Sequence, residues 1–503
     1  MNNSSKSKKI AKNTIALYVR MVIVTLVGLY TSRVILKGLG IDDFGLYNVV
    51  GGVVSLFAFF RSSMERCTQR FLNVEMVKEN GKTHDVFGNA IIIHLGLALI
   101  ALILAETIGL WFLNQYILIP EGREIAANCV YQTVIFGLLL TILTVPYSAT
   151  IIANERMGVF AIIGVLDCIL NLGIAFLISI SSYDRLILYG ILILLIRIVN
   201  FLFHVLYCRM KCKEVQGKIR YKKDIVKEML GYTSWTLVGH AMILGTNQGN
   251  SILVNMFHGV SANAAMAVAN QVNGHVLSLT SNFQTAFNPQ ITKAYAKNDY
   301  SYLHRLIIST SKISYFLLFI VSLPLLLNID FILEIWLETV PTDANIFCAL
   351  MLSSGILQAT TSPLNFSIMA TGEIKWFQIT TGLVFLSDLI VLYSLFSVGF
   401  SAPTAMWVKL SIMVIVTIVR IIFAKHQLPK FSIMSYIKEV IFPLSIVTII
   451  SVTCGMLFMQ RVSTVISRFL ISLLIIFLTA LVIIVIGVTT NERKMVTNLI
   501  RRR

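Results

Sequence analysis

Two short stretches decide the fold: GIDDFG at Gly40–Gly45 and GVSANA at Gly259–Ala264. They lie 219 residues apart, and each joins two long apolar segments of the chain. At a nearly equal offset of 217 residues, Pro146 falls on Pro363. Because each match occupies the same place relative to its apolar segments, we predict an internal duplication. The chain is expected to contain two parallel repeats of six helices.

The composition places those repeats in a membrane. The 503 residues are 56% hydrophobic and 13% charged, with a mean hydropathy of +0.81, whereas soluble domains carry about 25% charged residues. These values exclude a soluble globule, a disordered chain and a disulfide scaffold. Only helices satisfy every backbone group across a bilayer at this segment length, so the fold class is an all-α polytopic membrane protein. Fourteen spans are predicted at 14–36, 44–60, 86–113, 124–150, 157–180, 184–208, 229–257, 262–290, 305–328, 344–370, 374–398, 402–424, 438–459 and 465–487.

The net charge of +17 follows from topology rather than from nucleic-acid binding. With the N-terminus in the cytoplasm, the cytoplasmic connections carry 30 Lys and Arg and the outer connections carry 5, as the positive-inside rule requires. Both termini are therefore expected in the cytoplasm. The predicted parts are an N-terminal six-helix bundle (1–208), a basic cytoplasmic linker (209–228), a C-terminal six-helix bundle (229–424) and two further helices with a basic tail (425–503).

The stretch SRVILKGLGIDDFGLY at Ser32–Tyr47 carries a family resemblance. An Arg near the end of the first helix, a Leu-Gly, an acidic turn and a Phe-Gly-x-Tyr resemble the opening of bacterial polysaccharide flippases. These are the lipid-linked oligosaccharide exporters of the multidrug/oligosaccharidyl-lipid/polysaccharide (MOP) superfamily. The resemblance covers roughly residues 1–424. The last two spans are similar to the pair that peptidoglycan lipid II flippases add to a twelve-helix core.

The resemblance implies a V-shaped pair of bundles that open alternately to each side of the bacterial inner membrane. Their shared cationic cavity would bind an undecaprenyl-diphosphate-linked oligosaccharide, a unit of O-antigen, capsule or a similar surface polysaccharide, and move it to the outer leaflet. The implied partners are that lipid-linked oligosaccharide, membrane lipids and other polysaccharide assembly proteins. We expect a monomer with no cofactor, no metal, no nucleic-acid partner and no enzymatic activity.

The alternative function is a cation-coupled multidrug antiporter of the same superfamily. A cavity for cationic drugs should be acidic, whereas the predicted spans hold six Lys or Arg against Glu106, Asp167 and Asp388. A membrane enzyme is the third possibility, and the acidic connection 329–343 lacks the His, Cys or Lys that a catalytic centre would use. The charge balance favours the flippase.

Arg20 and Arg33 are candidate contacts for the diphosphate, because the planar guanidinium makes two charge-assisted bonds to phosphate. They are 13 residues apart on one helix, which sets them about 220° apart. A straight helix cannot aim both at one cavity, and Arg20 is the better placed. Lys312 and Arg420 lie near inner ends of spans and are expected to reach the interface as anchors.

Arg197 is a third candidate contact and also a candidate partner for Asp167. At a rise of 1.5 Å per residue the two lie about 16 and 15 Å deep on adjacent spans. Asp388 and Lys409 could repeat this arrangement in the second half. Two interpretations remain open: structural pairing within each bundle, or a carboxylate that responds to protons or sodium, since a buried Asp can hold its proton.

Polar stripes mark one helix face in each of three spans of the second half. The candidate substrate-binding residues on them are His240, Asn247, Ser251, Asn270, Ser281 and Gln358. They could line a hydrated wall that binds sugar hydroxyls, or they could join helices to one another, as Ser, Thr and Asn commonly do in membranes. Pro146 and Pro363 are expected to kink or hinge their spans.

Overall fold

A computed structural model describes residues 3–40, 43, 46–47, 58–79, 81–116, 119, 122–217, 219–337, 340–459 and 464–487. These residues are overwhelmingly helical. The helices are α1 (Asn3–Leu39), α2 (Ala58–Glu75), α3 (Thr83–Leu104), α4 (Leu110–Tyr116), α5 (Glu124–Ala153), α6 (Met157–Ile180), α7 (Arg185–Lys211), α8 (Lys223–Ala296), α9 (Tyr300–Leu327), α10 (Ile329–Trp336), α11 (Ala344–Thr371), α12 (Lys375–Ser397), α13 (Thr404–Gln427), α14 (Ile433–Tyr436), α15 (Phe442–Met459) and α16 (Val465–Val482).

The all-α membrane fold is confirmed. Twelve helical segments of the described residues are long and apolar enough to cross a membrane. One of them, α8, is 74 residues long and is broken at Gly259, so it contains two predicted spans, 229–257 and 262–290. The predicted span 44–60 lies largely outside the described residues. The predicted span 157–180 matches α6 at both ends.

The chain folds into two compact units, residues 11–234 and residues 235–503 with 1–10. In the first unit α5 packs against α2, α3 and α7, and in the second α11 packs in the same way against α9 and α13. Both central helices are largely buried, with Tyr131 and Ile135 enclosed in one and Phe347 and Cys348 in the other.

The duplication predicted from the sequence recurs in the backbone. Gly40 has φ +83° and Gly259 has φ +78°, at the offset of 219. A second pair, Glu155 at φ +58° and Gly372 at φ +89°, ends α5 and α11 at the offset of 217. Left-handed residues of this kind commonly end helices. Two such pairs, at the offsets of the sequence matches, support the predicted duplication.

The two proline-containing helices, α5 and α11, share an equivalent side-chain hydrogen bond. Thr150 Oγ1 donates to the Pro146 carbonyl at 2.8 Å in α5, and Ser367 Oγ donates to the Pro363 carbonyl at 2.8 Å in α11. Each bond runs four residues back along the helix. Hydroxyl bonds of this type can bend a helix, and here they occupy equivalent turns.

An ion cluster ties together one end of the first unit. Arg123 pairs with both oxygens of Asp43 and, through Nη1, with Asp184 at 2.5 Å. Asp184 also accepts the first free N–H groups of α7, at 3.1 Å from Leu186 and from Ile187. The hydrogen bond to Asp43 raises the pKa of the Arg123 guanidinium above its ordinary value. One arginine therefore joins three parts of the chain that are far apart in sequence.

The connection 61–85 between the predicted spans 44–60 and 86–113 is helical as far as Glu75, so Arg61, Arg66 and Arg70 lie on α2. One expectation about basic residues is wrong. Lys312 and Arg420 do not reach out as anchors: their exposed fractions are 2% and 9%. Sequence depth placed them near a helix end, but the faces they occupy are packed inside the second unit.

Candidate functional site

A cavity of about 460 Å³ lies inside the first unit, among α1, α2, α5, α6 and α7. Its volume falls within the range of about 300–1,000 Å³ that is usual for ligand sites. Each wall is one helix face, because the lining residues recur three or four positions apart. On α7, for example, they are Arg197, Asn200 and His204, and on α5 they are Thr141, Thr144 and Ser148.

Three arginines line this cavity: Arg20 from α1, Arg61 from α2 and Arg197 from α7. The only acidic residue among the described lining residues is Asp167 on α6. The cavity wall therefore carries an excess of positive charge. A low-dielectric surrounding strengthens the attraction of such a charge for an anion.

Arg20 is held by packing rather than by hydrogen bonds. Its guanidinium carbon lies 4.6 Å from the centre of the Phe160 ring, a cation–π arrangement. A Cβ atom at position 164 would collide with Arg20 Nε, so the glycine there gives the side chain its room. Within the described residues, the buried Nε of Arg20 has no hydrogen-bond partner. Because Nε is enclosed, a ligand in the cavity would have to bind the terminal Nη groups of Arg20.

Arg197 and Asp167 form the ion pair that the sequence predicted. Arg197 Nη1 lies 3.3 Å from Asp167 Oδ1, and Asn200 Nδ2 donates to the same oxygen at 3.2 Å. Asn171 Nδ2 reaches the other oxygen at 3.4 Å. Three side chains therefore donate to the carboxylate of Asp167.

Arg33 does not join this cavity. It is exposed on α1, whereas its neighbours Thr31 and Ser32 line the cavity. This agrees with the angular argument that only one of the two arginines on α1 can face inward.

The second unit does not repeat the ion pair. In its described residues Asp388 and Lys409 make no direct salt bridge. Instead Asn250 Nδ2 donates to Asp388 Oδ2 at 2.9 Å, and Lys409 Nζ donates to Asn247 Oδ1 at 3.4 Å. The expectation of a direct pair is wrong, because each charged side chain is hydrogen-bonded to an amide of α8 instead, and the two amides lie one turn apart.

The six candidate residues on the polar stripes of the second unit differ in their exposure and contacts. Asn247, Asn270, Ser281 and Gln358 are exposed on the surface of this unit. Ser251 is instead bonded to Asn263 at 2.8 Å, across the break at Gly259, which matches the helix-joining interpretation. His240 is partly buried and interacts within the protein.

Several cavity residues were missed by the sequence reasoning. Arg61 was assigned to a loop, and Asn171, Asn200 and His204 were not singled out. The signal for them exists: polar residues recur at spacings of three and four on α5, α6 and α7, as they do in the second half.

No family model matches this chain, and no curated protein matches it. Solved structures do. A multidrug resistance MATE family transporter of the MOP superfamily in its outward-facing conformation aligns over 86% of this chain and 99% of its own, with a TM-score of 0.68 and 12% identity. A MATE protein in the straight conformation aligns over 84% and 94%, with a TM-score of 0.64 and 15% identity.

The fold is that of MOP-superfamily transporters. A third structure with this fold is a MOP superfamily transporter from Pyrococcus furiosus, whose binding pocket of reverse polarity is said to suggest a different function. It aligns over 85% of this chain and 98% of its own, with a TM-score of 0.66 and 13% identity. At such identities the likeness to the MOP-superfamily structures establishes architecture alone.

Proposed function

We propose that this protein moves an undecaprenyl-diphosphate-linked oligosaccharide from the inner to the outer leaflet of the bacterial inner membrane, and that the cavity of the first unit binds its diphosphate. The observation that carries the proposal is the charge of that cavity, with Arg20, Arg61 and Arg197 against Asp167. The diphosphate is the negatively charged part of such a cargo, and several cationic side chains would be needed to balance its charge.

The contacts of the three arginines differ in a way that suits this role. Arg197 is already paired with Asp167, whereas among the described residues Arg20 has no salt bridge and stacks on the Phe160 ring. An arginine stacked on an aromatic face keeps its in-plane N–H groups for hydrogen bonding. Arg20 is therefore the primary anion contact, and Arg197 is a positioning residue that sets the shape and charge of the opposite wall.

The walls offer hydroxyl and amide groups beside these charges. Thr144, Ser148 and Asn200 lie on the α5 and α7 faces of the cavity. The two hydroxyls already donate their protons within the protein, so they can accept hydrogen bonds from sugar hydroxyls, and the Asn200 amide can donate, without adding charge. The exposed amides Asn247, Asn270 and Gln358 of the second unit would serve the glycan in the same manner, together with the exposed hydroxyl of Ser281.

Transport of this cargo does not require nucleotide hydrolysis. An anion that leaves a negative interior gains about 2.3 kcal/mol per charge for each 100 mV of membrane potential. A diphosphate that crosses with about two charges would gain nearly twice that amount. The electrical term therefore favours export in the proposed direction.

The antiporter alternative is favoured by the fold that the chain shares with multidrug transporters. The state of the cavity carboxylate, which a cationic drug would need as its partner, argues against the antiporter. Asp167 already accepts bonds from Arg197, Asn200 and Asn171. A cation entering the cavity would face a net positive wall.

A rescue assay tests the proposal. Cells that lack their own lipid-linked oligosaccharide flippase would receive the wild-type protein, Arg20→Gln or the control Arg33→Gln. We expect surface polysaccharide with the wild type and the control and a large loss with Arg20→Gln. Resistance to cationic drugs without restored polysaccharide would support the antiporter and contradict the flippase.

A further inference from the structure

A second cavity, of about 580 Å³, lies within the second unit where α9 continues into α10 and where α15 is followed by α16. The cavity lies between the six-helix repeat and the two additional helices. Gly455 on α15 allows this approach, since a Cβ there would press on Leu327 at the end of α9. The cavity thus sits at a seam of the fold, well separated in the chain from the arginine cavity of the first unit.

Both signs of charge line this second cavity without meeting each other. Asp330 and Glu334 contribute carboxylates from α10, and Arg468 contributes a guanidinium from α16. Among the described residues neither Glu334 nor Arg468 has an ion-pair partner, and Arg468 rests instead on the Phe331 ring, 4.9 Å from its centre. Asp330 accepts a bond from Asn345 at 2.7 Å. Unpaired opposite charges in one cavity fit a ligand that carries both signs.

A buried amide in the same wall indicates the kind of cation. Asn328 is 5% exposed, and its Nδ2 donates to the Pro324 carbonyl at 3.1 Å and to Ser472 Oγ at 3.2 Å. Because a carbonyl oxygen only accepts hydrogen bonds, the Asn328 side-chain atom that faces the Pro324 carbonyl must be the amide nitrogen. Oδ1 of Asn328 is left without a partner among the described residues. Such an acceptor calls for an N–H donor, because an unpaired buried acceptor costs about 1–3 kcal/mol.

The surroundings of the cavity are those of a lipid headgroup. The neighbouring side chains Ile335, Met456 and Phe469 are 67%, 54% and 65% exposed, and Trp336 lies at the end of α10. Tryptophan is enriched at the headgroup level of membranes, beside apolar side chains that contact acyl tails. A ligand with charges of both signs and an apolar tail would contact all of these groups.

We propose that this cavity binds the headgroup of a zwitterionic phospholipid with a primary ammonium, that is, a phosphatidylethanolamine. Arg468 binds the phosphate, and Asp330, Glu334 and Asn328 Oδ1 receive the three N–H donors of the ammonium. The bound lipid bridges α10 and α16 and so holds the additional helices against the repeat.

Native mass spectrometry of the full-length protein tests this assignment. The protein would be released from detergent with phosphatidylethanolamine, phosphatidylcholine or phosphatidylglycerol of identical acyl chains. Phosphatidylcholine keeps the phosphate and the positive charge but has no N–H, and phosphatidylglycerol has no cation. We expect retention of phosphatidylethanolamine above both others, and about tenfold weaker binding of it by Glu334→Gln and by Arg468→Gln, the loss of one charge-assisted bond.

The matched controls are Glu373→Gln and Arg305→Gln, which remove exposed charges of the same types elsewhere in this unit; both should bind the lipid as the wild type does. Equal retention of the three lipids, or wild-type binding by the Glu334 and Arg468 variants, would overturn the proposal. Displacement of the lipid by an equal concentration of soluble glycerophosphoethanolamine would also overturn it, because the site would then take a free headgroup. The lipid series uses the wild-type protein, so it decides the matter even where a variant fails to fold.

Discussion

Arg197 Nη1 and Asp167 Oδ1 lie 3.3 Å apart in a wall where Asn200 and Asn171 also donate to the same carboxylate. The two partners are therefore not equivalent. Removal of the arginine leaves the carboxylate with two donors, whereas removal of the carboxylate leaves three donors facing one another.

The first prediction concerns this asymmetry. Asp167→Leu should lower the melting temperature more than Arg197→Met, because leucine offers no acceptor to the three donors, and an unsatisfied buried group costs about 1–3 kcal/mol. Binding of undecaprenyl diphosphate should show the reverse order, with Arg197→Met the weaker binder. Thermal unfolding and lipid binding by the same purified samples measure both. Equal effects of the two changes on both readouts would contradict the asymmetry.

The second prediction concerns the room that Arg20 needs. Gly164→Ala would place a methyl group against Arg20 Nε and displace the guanidinium, so anion binding should fall about tenfold, as for the loss of a charge-assisted bond. Gly137→Ala is the matched control, because its Cβ would lie 3.5 Å from Arg197 Cγ, an ordinary contact. The control should bind as the wild type does. Identical affinities for the two alanine variants would show that Arg20 is not held by Gly164.

The span boundaries were accessible from the sequence because hydropathy and helix length are local properties. The predicted span 344–370 and helix α11 differ by one residue at the C-terminal end. The repeat was accessible too, since Gly40 and Gly259 are glycines for a conformational reason that the structure shows in both. Both predictions rest on local features of the sequence that extend over only a few helical turns.

The site was only partly accessible, because depth along a helix does not give the direction of a side chain. Depth alone brought Asp167 and Arg197 together correctly. The same reasoning failed for Asp388 and Lys409, whose charges are met by amides from a third helix. It also failed for Arg420, which donates to Thr361 at 2.8 Å inside the second unit.

The third prediction concerns Asn250, which donates to the buried Asp388 at 2.9 Å. Asn250→Ala should lower the free energy of unfolding by about 1–3 kcal/mol, because the carboxylate would lose its donor. Asn247→Ala, one turn away and exposed, should cost less. Denaturation of the two variants in the same detergent compares them. The proposal that Asn250 supports Asp388 fails if Asn247→Ala is the more harmful change.

The fourth prediction concerns the basic linker, which is bound to the first unit. Asn89 is fully buried, donates to the Arg220 carbonyl at 3.1 Å and accepts from the Lys222 amide at 2.8 Å. Asn89→Ala should speed tryptic cleavage after Arg220 and Lys222 about tenfold, because cleavage follows the population of the opened segment.

Asp85→Asn is the control for the linker. It removes only the partly exposed ion pair with Lys222, and such pairs contribute about 0–1 kcal/mol. Its cleavage rate should stay near that of the wild type. Mass spectrometry of timed digests reads both sites, and a faster rate for Asp85→Asn than for Asn89→Ala would refute the role given to the amide.

The most direct test of the central claim is the dissociation constant of undecaprenyl diphosphate for the purified full-length protein in nanodiscs, measured for the wild type, Arg20→Gln and Arg33→Gln. Arg20 faces the cavity and Arg33 does not, so both variants lose one charge from the same helix and only one loses it from the site. The account predicts about tenfold weaker binding for Arg20→Gln and wild-type binding for Arg33→Gln. Equal affinities for all three proteins would contradict it.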